Sequence, residues 1–313
     1  MFRALFDGRR EAGLKAGLRV ERLDDRLVPT TFSFDADTRT AFVDGDLFGS
    51  DAITVRHHGN GSVTVSDKLG NGRRFVDVDR FVVNTWFGDD VVSYQLDGTL
   101  TRNMDIVVRL DGPPDIRPDR FVPGRDRFTG TLDADIAAFN RLGVSVHGGA
   151  GTDLITMYGT PTAPVRAGDF VTDGLAINEG GLHIGFGAEL DLDLDGGEGN
   201  DRIFVDYRGE LDGLLTFDTD GGGGDDTVSV VARTTVGSAG QVGKNGDPSA
   251  VRGGFGSDDL MLHVFGENGN NRPVFAQIDG GEDADGGETD RGSRTGNVQN
   301  AGGLEEDHMI LIF

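Results

Sequence analysis

The chain has 313 residues, 53 of them acidic and 29 basic, for a formal net charge of −24. A field of that sign repels nucleic acid and anionic membrane and attracts divalent cations. Cysteine is absent, which excludes disulfides and thiolate metal sites, and no apolar run reaches transmembrane length. The 51 glycines are well above average usage and gather in turn-like clusters without a collagen period.

Residues 1–28 carry Arg3, Arg9, Arg10, Lys15, Arg19, Arg22 and Arg26, with Leu5, Leu14, Leu18 and Leu23 at roughly helical spacing. They lack the apolar centre of a standard signal peptide. The run Val20-Glu21-Arg22-Leu23-Asp24-Asp25-Arg26-Leu27-Val28-Pro29 resembles the Leu-Glu-x-Arg-x-x-Pro segment near the start of many large planctomycete-type extracellular proteins. Asp24 stands in place of the usual glutamate. The resemblance implies a sorting-type segment, 1–30, ahead of an exported repeat domain, 31–313. The residues alone fit a short, solvated, basic helix.

After Pro29 the pattern turns to strands. Thr31-Phe32-Ser33-Phe34, Ile53-Thr54-Val55, Val63-Thr64-Val65 and Val76-Asp77-Val78-Asp79 all alternate. The one helical pattern is Asp133–Leu142, with Gly143 placed as a C-cap.

Glycine turns then recur, each followed by alternating apolar residues. They are Gly148-Gly149-Ala150-Gly151-Thr152-Asp153, Gly196-Gly197-Glu198-Gly199-Asn200-Asp201, Gly221-Gly222-Gly223-Gly224-Asp225-Asp226 and Gly253-Gly254-Phe255-Gly256-Ser257-Asp258. Gly49-Ser50-Asp51 and Gly88-Asp89-Asp90 keep only the second half of the pattern. Leu110-Asp111-Gly112 keeps only the first, and Gly280-Gly281-Glu282 has lost the third glycine.

Aligning Gly196 with Gly221, a step of 25 residues, matches Leu190 with Leu215, Leu192 with Phe217, Asp193 with Asp218 and Asp195 with Asp220. Downstream, Ile203 matches Val228 and Val205 matches Val230. A unit of strand, turn and strand has one apolar face that it cannot bury alone, and stacked copies form a continuous core. The expected fold is therefore all-β, a parallel β-solenoid of the β-helix or β-roll kind, with irregular insertions at 113–130, 158–180 and 236–250. A β-sandwich or β-propeller is the alternative. The stretch 284–303 reads as a loop. The apolar ending His308–Phe313 reads as a buried last strand or a self-association edge.

The turns resemble the calcium-binding nonapeptide of RTX, or hemolysin-type, proteins. In that family each calcium ion sits between two stacked turns, and glycine carbonyls and the turn aspartate are ligands. Carried over, the best calcium-type repeats span 148–262. The metal residues would be Gly196, Gly197, Gly199, Asn200 and Asp201; Gly221, Gly222, Gly224, Asp225 and Asp226; Gly253, Gly254, Gly256 and Asp258; and Asp153. Here the motif occurs once per coil, unlike the tandem nonapeptides of the family.

The expected function is an exported bacterial calcium-binding protein, structural or adhesive, at the cell surface or outside the cell. Its partners are calcium and a surface or matrix polysaccharide or protein, with no nucleic acid and no membrane span. A β-helix polysaccharide lyase or epimerase, or a carbohydrate-binding module, is the alternative. No motif supports catalysis: His57-His58, His147, His183, His263 and His308 lack metalloenzyme spacing. His57-His58 reads as a solvated turn. Trp86, the single tryptophan, reads as packing beneath a turn rather than as a sugar platform.

Overall fold

Successive side chains of a strand face opposite ways. From Glu189 to Asp195 this sends Leu190, Leu192 and Leu194 inward and turns Asp191, Asp193 and Asp195 towards solvent. In the computed structural model, the strand Glu189–Gly199 lies parallel to Leu214–Gly223. Leu190 sits beside Leu215, Leu192 beside Phe217, Asp193 beside Asp218 and Asp195 beside Asp220. Beyond the turn, Arg202–Gly209 lies parallel to Thr227–Thr234, with Ile203 beside Val228 and Val205 beside Val230. The 25-residue alignment of the sequence is the physical register of two stacked coils.

The structure describes residues 30–47, 49–111, 124–158, 182–234, 240–266, 274–281, 291–295, 299–302 and 310–311. Among them, two 11-stranded sheets run along the stack. One sheet takes the strand that enters each glycine turn, from Thr40–Asp44 through Arg141–Gly151 and Glu189–Gly199 to Gln299–Gly302. The other takes the strand that leaves it, from Ala52–His57 through Leu154–Tyr158 and Arg202–Gly209 to Ile310–Leu311. Among the described residues the strands pair in parallel except at the N-terminal end, and one isolated antiparallel bridge joins Lys244 and Asp247. At the N-terminal end Thr31–Asp35 folds antiparallel onto Thr40–Asp44, and Val63–Ser66 and Gly72–Phe75 form an antiparallel meander beside Ala52–His57. These pieces occupy sheet edges at that end, which would otherwise be open. The fold is thus an all-β parallel solenoid. A chain that crosses between the sheets at every turn matches neither a β-sandwich nor a β-propeller.

The core lies between the sheets, in columns. Ile155, Ile203, Val228 and Leu260 form one, and Met157, Val205, Val230 and Leu262 form another, all buried. Burying a side chain of this size contributes about 1.5–3 kcal/mol. Volume is balanced along a column: Gly130 pairs with Met157, and a Cβ on Gly130 would collide with the methionine sulfur.

Each coil has two edges. One is the glycine turn. The other is a corner, where Leu100, Ile136, Ile184 and Leu211 follow one another in parallel bridges, all buried.

Three expectations are corrected. Residues 133–142 form no helix: Asp133 ends one strand, Ile136 bridges to Leu100 and Ile184 at the corner, and Arg141 begins the next strand. Stacking on neighbouring coils overrides the local spacing of Ile136, Phe139 and Leu142, and Phe139 is 75% exposed. The stretch 284–303 contains two strands, Arg291–Thr295 and Gln299–Gly302, which pair with Asp259–His263 and Gln277–Asp279 through their backbones. Backbone pairing does not require the side-chain alternation that this stretch lacks. The insertion read as 113–130 is shorter, because Gly124–Asp126 and Arg127–Asp133 have rejoined the stack. Ile310–Leu311 pairs with Ser293–Arg294. The segment 1–29 lies outside the described residues.

Candidate metal centre

Each turn reverses the chain between the two sheets, and its glycines serve two separate purposes. Gly197 and Gly199 have φ of 102° and 134°, in the left-handed region that other residues rarely adopt. Their Cα atoms also stack against the preceding turn, where a Cβ would collide with the carbonyls of Gly149 and Gly151.

The turn aspartates form a single ladder. The amide of Asp51 donates to Oδ1 of Asp90 at 2.6 Å, and that of Asp90 to Asp126 at 2.7 Å. Asp126 donates to Asp153 at 2.8 Å, and Asp153 to Asp201 at 2.7 Å. Asp201 donates to Asp226 at 2.7 Å, and Asp226 to Asp258 at 2.8 Å. Every rung is at most 4% exposed.

One oxygen of each carboxylate is thereby used. The other, Oδ2, is buried without a hydrogen-bond partner in Asp90, Asp126, Asp153, Asp201 and Asp226. Asp51 differs, because the Asp46 amide donates to its Oδ2 at 2.7 Å. Burial pushes the carboxyls upward: Asp51 and Asp201 to about 6, Asp90 and Asp153 to about 7, Asp226 to about 8 and Asp126 to about 9. Neighbouring carboxylates add to the rise, and the ladder amides oppose it.

In the turns of Asp153, Asp201, Asp226 and Asp258 the carboxylate lies against the first glycine of the turn. A Cβ on Gly196 would lie 2.5 Å from the Gly221 carbonyl oxygen of the next coil and 2.8 Å from Oδ2 of Asp201. On Gly221 it would lie 2.5 Å from both the Gly253 carbonyl oxygen and Asp226 Oδ2. Gly148 and Gly253 are enclosed in the same way, by Asp153 with Gly196 and by Asp258 with Gly280. In the turns of Asp153, Asp201 and Asp226 a carboxylate oxygen without a donor and a carbonyl oxygen of the next turn thus both lie close to the first glycine. An all-oxygen set of this kind suits a hard divalent cation. The residues that would hold one are Asp153, Asp201, Asp226 and Asp258, with the carbonyls of Gly196, Gly221, Gly253 and Gly280.

The remaining expected ligands stand elsewhere. Asn200 and Asp225 are exposed and form an outer rung: Asn200 Oδ1 accepts the Asp225 amide, and Asp225 Oδ1 the Ser257 amide, both at 3.2 Å. Gly197, Gly222 and Gly254, and likewise Gly199, Gly224 and Gly256, are placed by backbone stacking.

Asp126 was not recognised in the sequence. Its signal, Gly124-x-Asp126 before Phe128, is shorter than the motif, yet it divides the interval of 63 between Asp90 and Asp153 into steps of 36 and 27. The interval of 48 between Asp153 and Asp201 is a single coil.

Other polar groups also find a place. On the sheet face Arg141 pairs with Asp105 at 2.6 Å and with Asp191 at 2.7 Å, and His147 Nδ1 lies 3.4 Å from Asp195. At the corner, His183, Glu210 and Asp212 bring ligand atoms within 4.8 Å of one another. The reading of His57 as part of a solvated turn is corrected by its burial. His57 continues the inward series Ile53, Val55, is 0% exposed, and meets the Tyr94 hydroxyl at 3.1 Å. Burial holds its pKa down, at about 4. Trp86 is half-buried, whereas Phe139 and Phe186 are exposed, with ring centroids 5.9 Å apart.

Comparison with protein-family models, with curated proteins and with solved structures returns no match. No helix among the described residues is long and apolar enough to cross a membrane.

Proposed function

We propose that this chain is a calcium-binding structural solenoid, exported and held in shape outside the cell by ions bound along its glycine–aspartate edge. One observation carries the reading. The Oδ2 atoms of Asp153, Asp201 and Asp226 are buried with no donor, in a row, beside glycine carbonyls of the following turn. A buried anion without a partner costs several kcal/mol, and a divalent cation between turns offsets that cost. Six to eight oxygen ligands suit calcium, and its flexible geometry suits a turn made largely of glycine.

When bound, calcium supplies charge and cross-links neighbouring coils. It performs no reaction in this reading. The net charge of −24 favours the same outcome, since cations relieve self-repulsion. An ion that binds the folded turns and not the unfolded chain adds stability as RT ln(1 + [L]/Kd). Low calcium before export leaves the chain loose, and high calcium afterwards closes the stack. The regular sheet faces then serve as a structural or adhesive surface towards a matrix polysaccharide or protein.

The test is thermal unfolding of the full chain, followed by circular dichroism, in EDTA and across calcium and magnesium titrations. The expected result is a melting temperature that rises with calcium and much less with magnesium. Identical melting in EDTA and in calcium would overturn the proposal.

A further inference from the structure

The ladder is continuous, but the space beside it is not. The first position of the turn follows the last paired residue of the entering strand, so the register identifies its occupant in every coil. Asn84, Arg109, His147, Asp195 and Asp220 are stacked partners. Gly45, Thr85, Leu110, Gly148, Gly196 and Gly221 therefore form one column, and Gly253 extends it; in the coil of Asp51 the position is a glycine, but there the Asp46 amide already occupies Asp51 Oδ2.

Two members of this column carry side chains. Thr85, in the coil of Asp90, is buried, and its hydroxyl donates to the Leu110 carbonyl at 2.6 Å. That carbonyl is the counterpart of the Gly196 and Gly221 oxygens that converge on orphaned carboxylates further along. Here a hydroxyl of the protein already binds it. Leu110, in the coil of Asp126, is 0% exposed and fills the same position with hydrocarbon. Gly148, Gly196, Gly221 and Gly253 leave it free of any side chain.

We infer that this column sets the boundary of the cation row: divalent ions bind at the turns of Asp153, Asp201, Asp226 and Asp258, whereas the coils of Asp90 and Asp126 close without metal. The inference rests on the calcium reading above and adds to it a division of labour. The coils up to Val146 form a metal-independent template. The coils from Gly148 onward are ordered on that template when the ion arrives.

Two measurements on the full chain test it. The first is hydrogen exchange read by mass spectrometry, in EDTA and in millimolar calcium. Strands 80–84, 104–109 and 127–133 should be equally protected in both conditions. Strands 189–199, 202–209, 214–223 and 227–234 should exchange at least tenfold more slowly with calcium. An equal gain in both halves would overturn the boundary.

The second is a count of bound calcium by equilibrium dialysis for isosteric variants, which keep the ladder acceptor. Asp90→Asn and Asp126→Asn should retain the native count, and Asp201→Asn and Asp226→Asn should each lower it. A lower count in Asp90→Asn or Asp126→Asn would sink the boundary while leaving calcium binding intact. If the native chain binds no calcium, the calcium reading fails, and the boundary fails with it.

Discussion

The backbone amide of Asp201 donates to Oδ1 of Asp226, 25 residues later, at 2.7 Å. The same bond recurs from Asp51 to Asp258 and always runs from one coil to the next. Each turn aspartate therefore has its carboxylate oriented by the coil before it, and its backbone amide orients the carboxylate of the coil after it. The aspartate of the motif is a stacking device first, and only its second oxygen remains for a ligand.

Truncating a rung separates these two roles. Asp226→Ala removes the acceptor of the buried Asp201 amide and should cost about 1–3 kcal/mol, with or without calcium. Asp226→Asn keeps Oδ1 and places an amide donor where the orphaned oxygen was. In EDTA it should melt at or above the native temperature, and its calcium response should shrink. Calorimetry of both variants in EDTA and in calcium decides this. An Asn variant as unstable as the Ala variant in EDTA would show that the second oxygen is not orphaned.

The pH dependence without metal follows from the raised carboxyls. Folded values of about 7 for Asp90 and Asp153, 8 for Asp226 and 9 for Asp126 lie above an unfolded value near 3.9. The folded state then binds more protons than the unfolded state across that window. These groups contribute full stability below about pH 4 and lose it as pH rises through 7 to 9. In EDTA the urea midpoint should be lower at pH 9 than at pH 6, and calcium should flatten the slope. A midpoint that climbs with pH in EDTA would contradict the buried carboxyls.

His57 runs the opposite way. Burial lowers its pKa to about 4, from 6.5 in the unfolded chain. Its contribution is present above pH 6.5 and is lost as pH falls through 4. An NMR titration of the His57 ring should show it still largely neutral at pH 5. Removing its hydroxyl partner with Tyr94→Phe should cost about 1 kcal/mol. A ring that titrates near 6.5 would place His57 in solvent.

Adjacent glycines of one turn should respond very differently. Gly222 has φ of 101°, and a Cβ there would strike the Gly197 carbonyl, so Gly222→Ala should cost more than about 3 kcal/mol. Gly223 has nothing within 4 Å of such a Cβ, so Gly223→Ala should stay within about 0.5 kcal/mol. Similar losses in the two variants, read from denaturant midpoints, would refute the close stacking of turns.

By itself the sequence determined the repeating part of this protein. Stacked coils place like residues in columns, so register is written as recurrence: Leu190 with Leu215, Ile203 with Val228, Asp201 with Asp226. What recurs once per coil can be read in one dimension. The tertiary structure decided what does not recur. Asp126 joins the ladder from a turn with little of the motif, because an amide in one coil and a carboxylate in the next find each other in space. Residues 133–142 became a corner, because bridges to Leu100 and Ile184 outweigh a local helical spacing. Thr85 and Leu110 share a column with the motif glycines although nothing nearby in the sequence says so. Segments of unequal length separate the coils, and only pairing across the stack shows which residue faces which oxygen.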